Sequence, residues 1–310
     1  MKIFGRQFDF WKRERSIRAE MKGEISDIRD LDSISLSIGK LLASRCWDVG
    51  VINDLRKVEF KIFSQWGDDG IIQYLISHIG VQNDTFIEFG CGNYRESNTR
   101  FLLVNDNWRG LVMDSSPQNI TTIQSEWYYW RHDLTAKQAF ITSENINTLI
   151  ERESISGDIG ILHIDVDGND YWIWKAIEVV TPEIVIVEYN SLFGAERAIT
   201  VPYGPDFDRY AAHFSGLFAG SSLTALCDLA QKKGYAFIGS NSAGNNAYFV
   251  RNDRVGDLPV VSVAQGYVQC RFREHRNADG DLTFQSGEVA LEDIRGLAVY
   301  NTRENRLEDF

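Results

Sequence analysis

The chain has 310 residues, 44% hydrophobic and 25% charged, an ordinary globular composition at a length that buries a core without covalent staples. Its 32 Lys and Arg against 44 Asp and Glu give a formal charge of −12, which argues against a general nucleic-acid-binding surface, because phosphate affinity needs clustered basic groups. No apolar run approaches the roughly 18 residues that cross a bilayer, and the charged N-terminus MKIFGRQFDFWKRERSIRAEMKGE lacks the apolar stretch of a signal peptide.

Residues 1–60 are polar and periodic, with Leu31, Ile34, Leu36, Ile38, Leu41 and Leu42 as apolar positions. One or two helices are expected there, ahead of the main fold, as a candidate surface for a homo-oligomer. Residues 1–23 hold seven basic and three acidic residues. Phe4, Phe8, Phe10 and Trp11 beside Lys12, Arg13 and Arg15 read either as a membrane-surface segment or as a helix packed on a partner subunit or on the domain itself.

From residue 61 short apolar runs alternate with helical stretches. Strands are expected over 85–89 (TFIEF), 110–113, 128–131, 159–164 and 183–187, with helices over 68–79, 99–105, 117–126, 136–152 and 170–179. Alternation of this kind implies a doubly wound, Rossmann-like, mostly parallel sheet with ligands at the carboxyl ends of its strands. Ser221 and Ser222 open a helix that runs to Lys233 and stops at Gly234. Strands at 235–238 and 247–250 then form an antiparallel hairpin at the edge, for seven strands in all. Residues 253–310, with a turn at Asp279-Gly280, read as a small β-rich appendage. The expected organisation is therefore an N-terminal helical extension (1–60), an α/β domain (61–252) and the appendage.

The first stretch with chemistry in it is DTFIEFGCGNYRESNTRFL, residues 84–102. A strand ends in Glu88, Gly90 and Gly92 permit a tight turn, and Ser97 or Asn98 can cap the next helix. A dinucleotide fingerprint fails here, because its third glycine would fall on Arg95. An acid at Glu88 also suits a pyrophosphate poorly and a cation well. Asp114 follows the second strand, 24 residues beyond Gly90, where doubly wound folds place a ribose-binding acid. Asp133, after the expected third strand, is a candidate partner for an adenine amino group. Taken singly each acid reads as a cap or a loop residue; together they line one rim of the sheet and favour an adenosyl ligand.

The glycine motif, Asp114 and the closing hairpin together resemble a class I S-adenosylmethionine-dependent methyltransferase over roughly residues 61–252. Within that superfamily, SQWGDDGIIQYLI (64–76), IDVDGNDYWIWKAI (164–177) and VIVEYN (185–190) resemble the FkbM-like family, often found with glycan and secondary-metabolite genes. The resemblance implies S-adenosylmethionine as cofactor, its methionine part at Glu88, Gly90, Cys91 and Gly92 and its ribose at Asp114 with Ser115. Gln65, Asn98, Asp133 and Asp165 complete the candidate cofactor residues, although Ser64, Gln65 and Asp68 read equally as caps of the helix they precede. Many members have a third glycine where this chain has Asn93, which must then tolerate that backbone.

The second stretch is His163-Ile-Asp165-Val-Asp167-Gly168-Asn169-Asp170. Three carboxylates so close at a strand end repel one another unless a cation, protons or hydrogen bonds compensate. Glu188 and Asn190 lie one strand further on, and hard oxygen ligands of this kind suit Mg²⁺ or Mn²⁺. By resemblance to metal-dependent O-methyltransferases, Asp165, Glu188 and Asn190 would be ligands and Asp167 a ligand or the base. The alternative is a structural network in which Asp170 caps the next helix and Asp165 satisfies loop amides. An alcohol acceptor needs its proton removed, and Asp167 is the first candidate base, His163 the second. His163 reads as well as a buried structural residue, and the other four histidines as structural or surface.

Acceptor recognition is expected from the long insertion 191–222, where Tyr203 and Tyr210 can stack on a sugar face, and from Tyr171 at the start of the helix after the acidic loop. The expected function is O-methylation of a small hydroxylated molecule, with a sugar or glycan precursor as acceptor. The alternatives are a nicotinamide oxidoreductase on the same architecture and a non-catalytic adenosyl-binding assembly module. Cys46, Cys91, Cys227 and Cys270 form no CxxC pair, which reads as reduced thiols in a cytoplasmic protein.

Overall fold

The computed structural model describes residues 32–310, so Leu31 and the basic aromatic segment around Phe4–Arg15 lie outside the described residues. Helix α1 covers 32–48, and an ion pair of 3.0 Å from Asp32 to Arg100 ties its start to the main domain. No helix among the described residues is long and apolar enough to cross a membrane.

Helix α2 (Asp68–Ile79) matches its expected limits, with two aspartates in its positive first turn and Gly80 left-handed at its end. Thereafter come β1 (Thr85–Phe89), α3 (Arg100–Asn105), β2 (Arg109–Asp114), α4 (Pro117–Ser125), β3 (Leu134–Gln138), α5 (Ile146–Arg152), β4 (Gly157–Ile164), α6 (Asp170–Ala176) and β5 (Val180–Glu188). The short β6 (Ile199–Thr200) and α7 (Arg209–Ala212) occupy the insertion, and α8 (Leu223–Lys233), β7 (Tyr235–Ser240) and β8 (Asn246–Arg251) close the domain. The main sheet has seven strands in the order β3-β2-β1-β4-β5-β8-β7. It is parallel except for β8, which pairs antiparallel with both β5 and β7. The hairpin thus turns inward, its second strand lying between β5 and its own partner.

Period-two alternation explains the two cores. Ile87, Phe89, Leu162, Ile164, Val185 and Val187 face one side, where Ile173, Trp174 and Leu226 of α6 and α8 cover them. Phe86, Val112, Ile161, Ile184 and Ile186 face the other, under Ile71, Leu75 and Leu102 of α2 and α3. Trp174 is 1% exposed and its ring lies 4.9 Å from that of Phe249, so it packs into the sheet as its sequence position suggests.

Two element expectations are corrected. Residues 128–131 are turns rather than a strand; the buried Tyr128 ring packs 5.8 Å from Tyr94 and 4.9 Å from the Arg100 guanidinium, whereas Trp130 is exposed. The third strand is β3, which pairs with β2 from Leu134 onward. The helix expected over 136–152 is therefore only α5. Asn145 breaks it upstream, its Oδ1 accepting from the Thr142 amide and its Nδ2 donating to the Phe140 carbonyl.

Beyond residue 253 come α9 (Val263–Gly266), α10 (Glu288–Leu291), β9 (Ala298–Asn301) and β10 (Arg306–Asp309). β6 of the insertion joins β9 and β10 in a separate three-stranded antiparallel sheet, over a small core that includes Phe193, Ile199, Leu217, Ile294 and Val299.

Candidate active site

The chain winds outward from β1 in one direction and from β4 in the other, so the crevice of the sheet opens at the carboxyl ends of these two neighbours. There Gly90 and Asp165 meet. A Cβ on Gly90 would lie 1.5 Å from the Asp165 carbonyl oxygen, and the backbone is left-handed at φ 69°. Gly92, at φ 54°, has nothing within 4 Å of where a Cβ would stand. Its amide donates to Asp114 Oδ2 at 2.9 Å, joining the β1 loop to the end of β2. Asp114 Oδ1 accepts from the Ser116 amide and Asn119 Nδ2, which seats the acid at the start of α4. Ser115 beside it is exposed. The third left-handed position of the loop is Tyr94 (φ 62°), not Asn93. Its buried ring and a 2.9 Å hydrogen bond from its hydroxyl to Thr99 hold it in that conformation.

Glu88 points from β1 to the face that carries α3. It is 2% exposed and accepts from Ser97 Oγ, the Asn98 amide and Thr99 Oγ1. His163, on the adjacent β4, places Nδ1 3.1 Å from Glu88 and Nε2 3.1 Å from Asn98. Burial alone would raise the Glu88 pKa. The contact with His163 and the hydroxyls of Thr99 and Ser97 outweigh it and hold the carboxyl below its ordinary value. Glu88 therefore organises the loop from behind, and Ser97 caps α3 by accepting from the amides of Thr99 and Arg100. His163 is corrected as a base: both ring nitrogens are engaged and the residue is 5% exposed. Cys91 is buried, and burial pushes its thiol well up, out of reach of nucleophilic work.

Asp133 is corrected as an adenine partner. It precedes β3, and its carbonyl accepts from the Gly110 amide at the start of β2, on the opposite rim of the sheet. Gln65 is exposed, and only its carbonyl is held, by Lys61 Nζ. The segment before α2 is shaped instead by Asp69, whose Oδ2 takes the amides of Ile62, Phe63 and Ser64.

The second half of the crevice lies at the ends of β4 and β5. Carboxylate oxygens of Asp165, Asp167 and Glu188 come within 4.8 Å of one another. Burial, then the charges of Glu188, Asp167 and Asp170, push Asp165 well above the usual carboxylate range. Burial, then Asp170 and Asp167, push Glu188 up to about 8. Asp170, expected to cap the next helix, instead holds the loop before it, accepting from the amides of Val166 and Gly168, and Asn169 stands at the cap of α6. Asp167, at φ 55°, pairs with Arg209 at 2.9 Å, and the same guanidinium reaches Glu274 at 3.3 Å and the Gly216 carbonyl.

These contacts decide against the expected four-ligand metal set. Asn190 Nδ2 donates to the carbonyls of Leu217 and Ala219 and its Oδ1 accepts from the Leu192 amide, so its amide is consumed in shaping the turn after β5. Arg209 already supplies a cation to Asp167. With Asn190 committed to the turn, Asp167 paired with Arg209 and Asp170 taken up by loop amides, the residues of the expected set are not free to hold the expected ion together.

Beside this cluster opens a cavity of about 370 Å³, lined by Asp167, Glu188, Arg209, Arg271, Phe272 and Glu274 among others. None of the three tyrosines expected there is among its lining residues. Tyr171 is 4% exposed in the sheet core. Tyr203 donates to Glu144 and accepts from the Ser143 amide near α5. Tyr210 is 47% exposed, packed between Arg209 and Arg276. The walls come instead from Arg209 and from residues 269–274. Nothing in the periodicity of that stretch marked it; its only signal was the pair of arginines flanking Phe272.

No family model matches the chain, and no curated protein matches it in sequence. Solved structures to which it is similar include a S-adenosylmethionine-dependent methyltransferase from Clostridium acetobutylicum, at 10% identity and TM-score 0.36, covering 57% of this chain and 87% of that one. An O-methyltransferase from Bacillus cereus in complex with SAH shares 15% identity at TM-score 0.37, over 58% and 79% of the two chains. The SAH-bound N-terminal domain of EvdMO1 shares 10% at TM-score 0.40, over 61% and 80%. The fold assignment itself rests on the strand order of this chain.

Proposed function

We propose that the protein is a S-adenosylmethionine-dependent O-methyltransferase of the FkbM-like type, acting on a hydroxyl of a small carbohydrate-like acceptor. The observation that carries this reading is the loop after β1. Gly90 closes against Asp165 at the end of β4, Gly92 presents an open left-handed corner and donates to Asp114, and Asp165 is grouped with Asp167 and Glu188, which line the cavity. That geometry accommodates an adenosyl ligand across β1 and β2 and an acceptor at β4 and β5.

Bound S-adenosylmethionine supplies a sulfonium methyl that needs no activation. The protein's task is to place an alcohol oxygen in line with it, at near-attack distance, and to take the alcohol's proton. Glu188 suits that role. It lines the cavity, its raised pKa makes it a stronger base than an ordinary carboxylate, and Asp165 beside it can share the proton received. Asp167, held by Arg209, is assigned to orient the acceptor hydroxyls. With the alcohol's proton taken by Glu188, the bound group would supply its methyl to the oxygen lone pair and leave as a neutral thioether.

Calorimetric titration of the purified chain with S-adenosylmethionine and with NAD tests the reading. Saturable binding of the former, weakened in Asp114→Ala, is expected; tight NAD binding with none of S-adenosylmethionine would overturn it.

A further inference from the structure

Residues 271–274 cross the mouth of the acceptor cavity as a strap, pinned at both ends. On one side the Tyr189 hydroxyl donates to the Val268 carbonyl at 2.6 Å and accepts from its amide at 3.2 Å. The Cys270 amide donates to Ser191 Oγ at 2.9 Å. Gly244 of the β7–β8 turn lies so close beneath that a Cβ there would stand 2.7 Å from Cys270 N. On the other side buried His275 sits between Thr283 (2.6 Å) and Asp293 (2.7 Å), and the Arg276 amide donates to the Ser215 carbonyl. Between the pins, the backbone of residues 271–274 makes no hydrogen bond among the described residues. Phe272 fixes the middle by stacking on Trp66, with ring centroids 5.9 Å apart and planes 18° apart.

The charges of the cavity do not cancel along this strap. Arg209 pairs with both Asp167 and Glu274, so its one guanidinium is already committed to two carboxylates. Arg271 and Arg273 also line the cavity, yet neither has an ion pair, hydrogen bond or aromatic partner among the described residues. Two residues apart in the chain and both on the cavity wall, their planar forks can grip one polyanion. In a chain of charge −12, two guanidiniums without an ion-pair partner give the strap a cationic edge beside the carboxylates of the cavity.

We propose that Arg271 and Arg273 form a phosphate-binding collar, so that the acceptor is a hydroxylated small molecule carrying a phosphoryl or pyrophosphoryl group, the class of sugar phosphates and nucleotide sugars. The collar grips the phosphate and the body hangs inward, bringing a hydroxyl to Glu188 and Asp167. That this ligand is the acceptor rests on the methyl-transfer reading; the anion site itself does not.

The test is calorimetric titration of the full chain, at low ionic strength, with inorganic pyrophosphate, comparing the natural protein with Arg271→Gln/Arg273→Gln. S-Adenosylmethionine is titrated in parallel, and sodium acetate serves as a carboxylate probe. Pyrophosphate binds the natural protein, about tenfold or more tightly than the double variant, because two charge-assisted bidentate contacts are lost. Acetate binds neither, and S-adenosylmethionine affinity is unchanged between the two. Equal pyrophosphate affinities, no binding to the natural protein, or acetate binding as well as pyrophosphate would each overturn the collar. Arginine-dependent pyrophosphate binding without S-adenosylmethionine binding would leave the collar standing and overturn the methyl-transfer reading instead.

Discussion

Gly90 and Gly92 are two residues apart, share left-handed backbone, and should respond to alanine in opposite ways. At Gly90 the added Cβ would stand 1.5 Å from the Asp165 carbonyl oxygen and 2.8 Å from its carbon. An ordinary carbon–oxygen contact is about 3.3 Å or more, so the ends of β1 and β4 must part by about 2 Å. Left-handed backbone in a non-glycine residue costs about 1–2 kcal/mol, and overpacking a close approach adds about 1–3 kcal/mol. Gly90→Ala is therefore expected to lose about 2–5 kcal/mol of stability. At Gly92 nothing lies within 4 Å of the new methyl, so only the backbone cost of about 1–2 kcal/mol applies. The methyl would instead project into the space assigned to the cofactor. Urea unfolding followed by circular dichroism measures the first effect, and calorimetric titration with S-adenosylmethionine the second. The expectation is a strongly destabilised Gly90→Ala, and a Gly92→Ala that folds but binds the cofactor at least about tenfold more weakly, the loss of one well-packed contact. If Gly90→Ala is no less stable than Gly92→Ala, the close approach of β1 to β4 is wrong. If Gly92→Ala binds the cofactor as the natural protein does, the cleft is misplaced.

Glu188 is raised from 4.5 to about 8 by burial and by its acidic neighbours, so kcat should climb as pH rises through that value. Glu188→Gln should lower kcat by about 10²–10⁴-fold and flatten the profile, and an unchanged kcat–pH curve would discard it as the base. Stability runs the other way: the folded chain binds this proton more tightly than the unfolded one, so the stabilisation is complete below the ordinary carboxylate range and is lost as pH rises toward 8. Melting temperature should fall over that window, and fall less in Glu188→Gln. Exhaustive treatment with a chelator should leave methyl transfer within about twofold of its starting rate, since Arg209 already pairs with Asp167 and Asn190 is committed to the turn after β5; loss of activity restored by Mg²⁺ or Mn²⁺ would reinstate the ion.

Strand and helix alternation was legible in the chain because four of the five parallel strands before the insertion, β1, β2, β4 and β5, are local apolar runs ending at a glycine or an acid, whereas β3 (LTAKQ) is not. Glu88, Asp114, Asp165 and Glu188 mark four such ends, and a strand end lies on the ligand rim of the sheet wherever its neighbours fall. The same local rule misled at residues 128–131, where a run of aromatics serves packing rather than a ladder, and so put Asp133 on the wrong rim. What each acid does was decided by tertiary structure alone. Glu88 accepts from Ser97, Asn98, Thr99 and His163, and so supports the loop from behind. Asn190 spends its amide on carbonyls 27 and 29 residues away. Arg209, 42 residues from Asp167 in the chain, changes that acid from a free base into a paired one. A carboxylate's residue type and place on its strand are local properties, written in the sequence. Its charge state and its freedom to act are set by burial and by partners that only the folded chain brings within hydrogen-bonding distance.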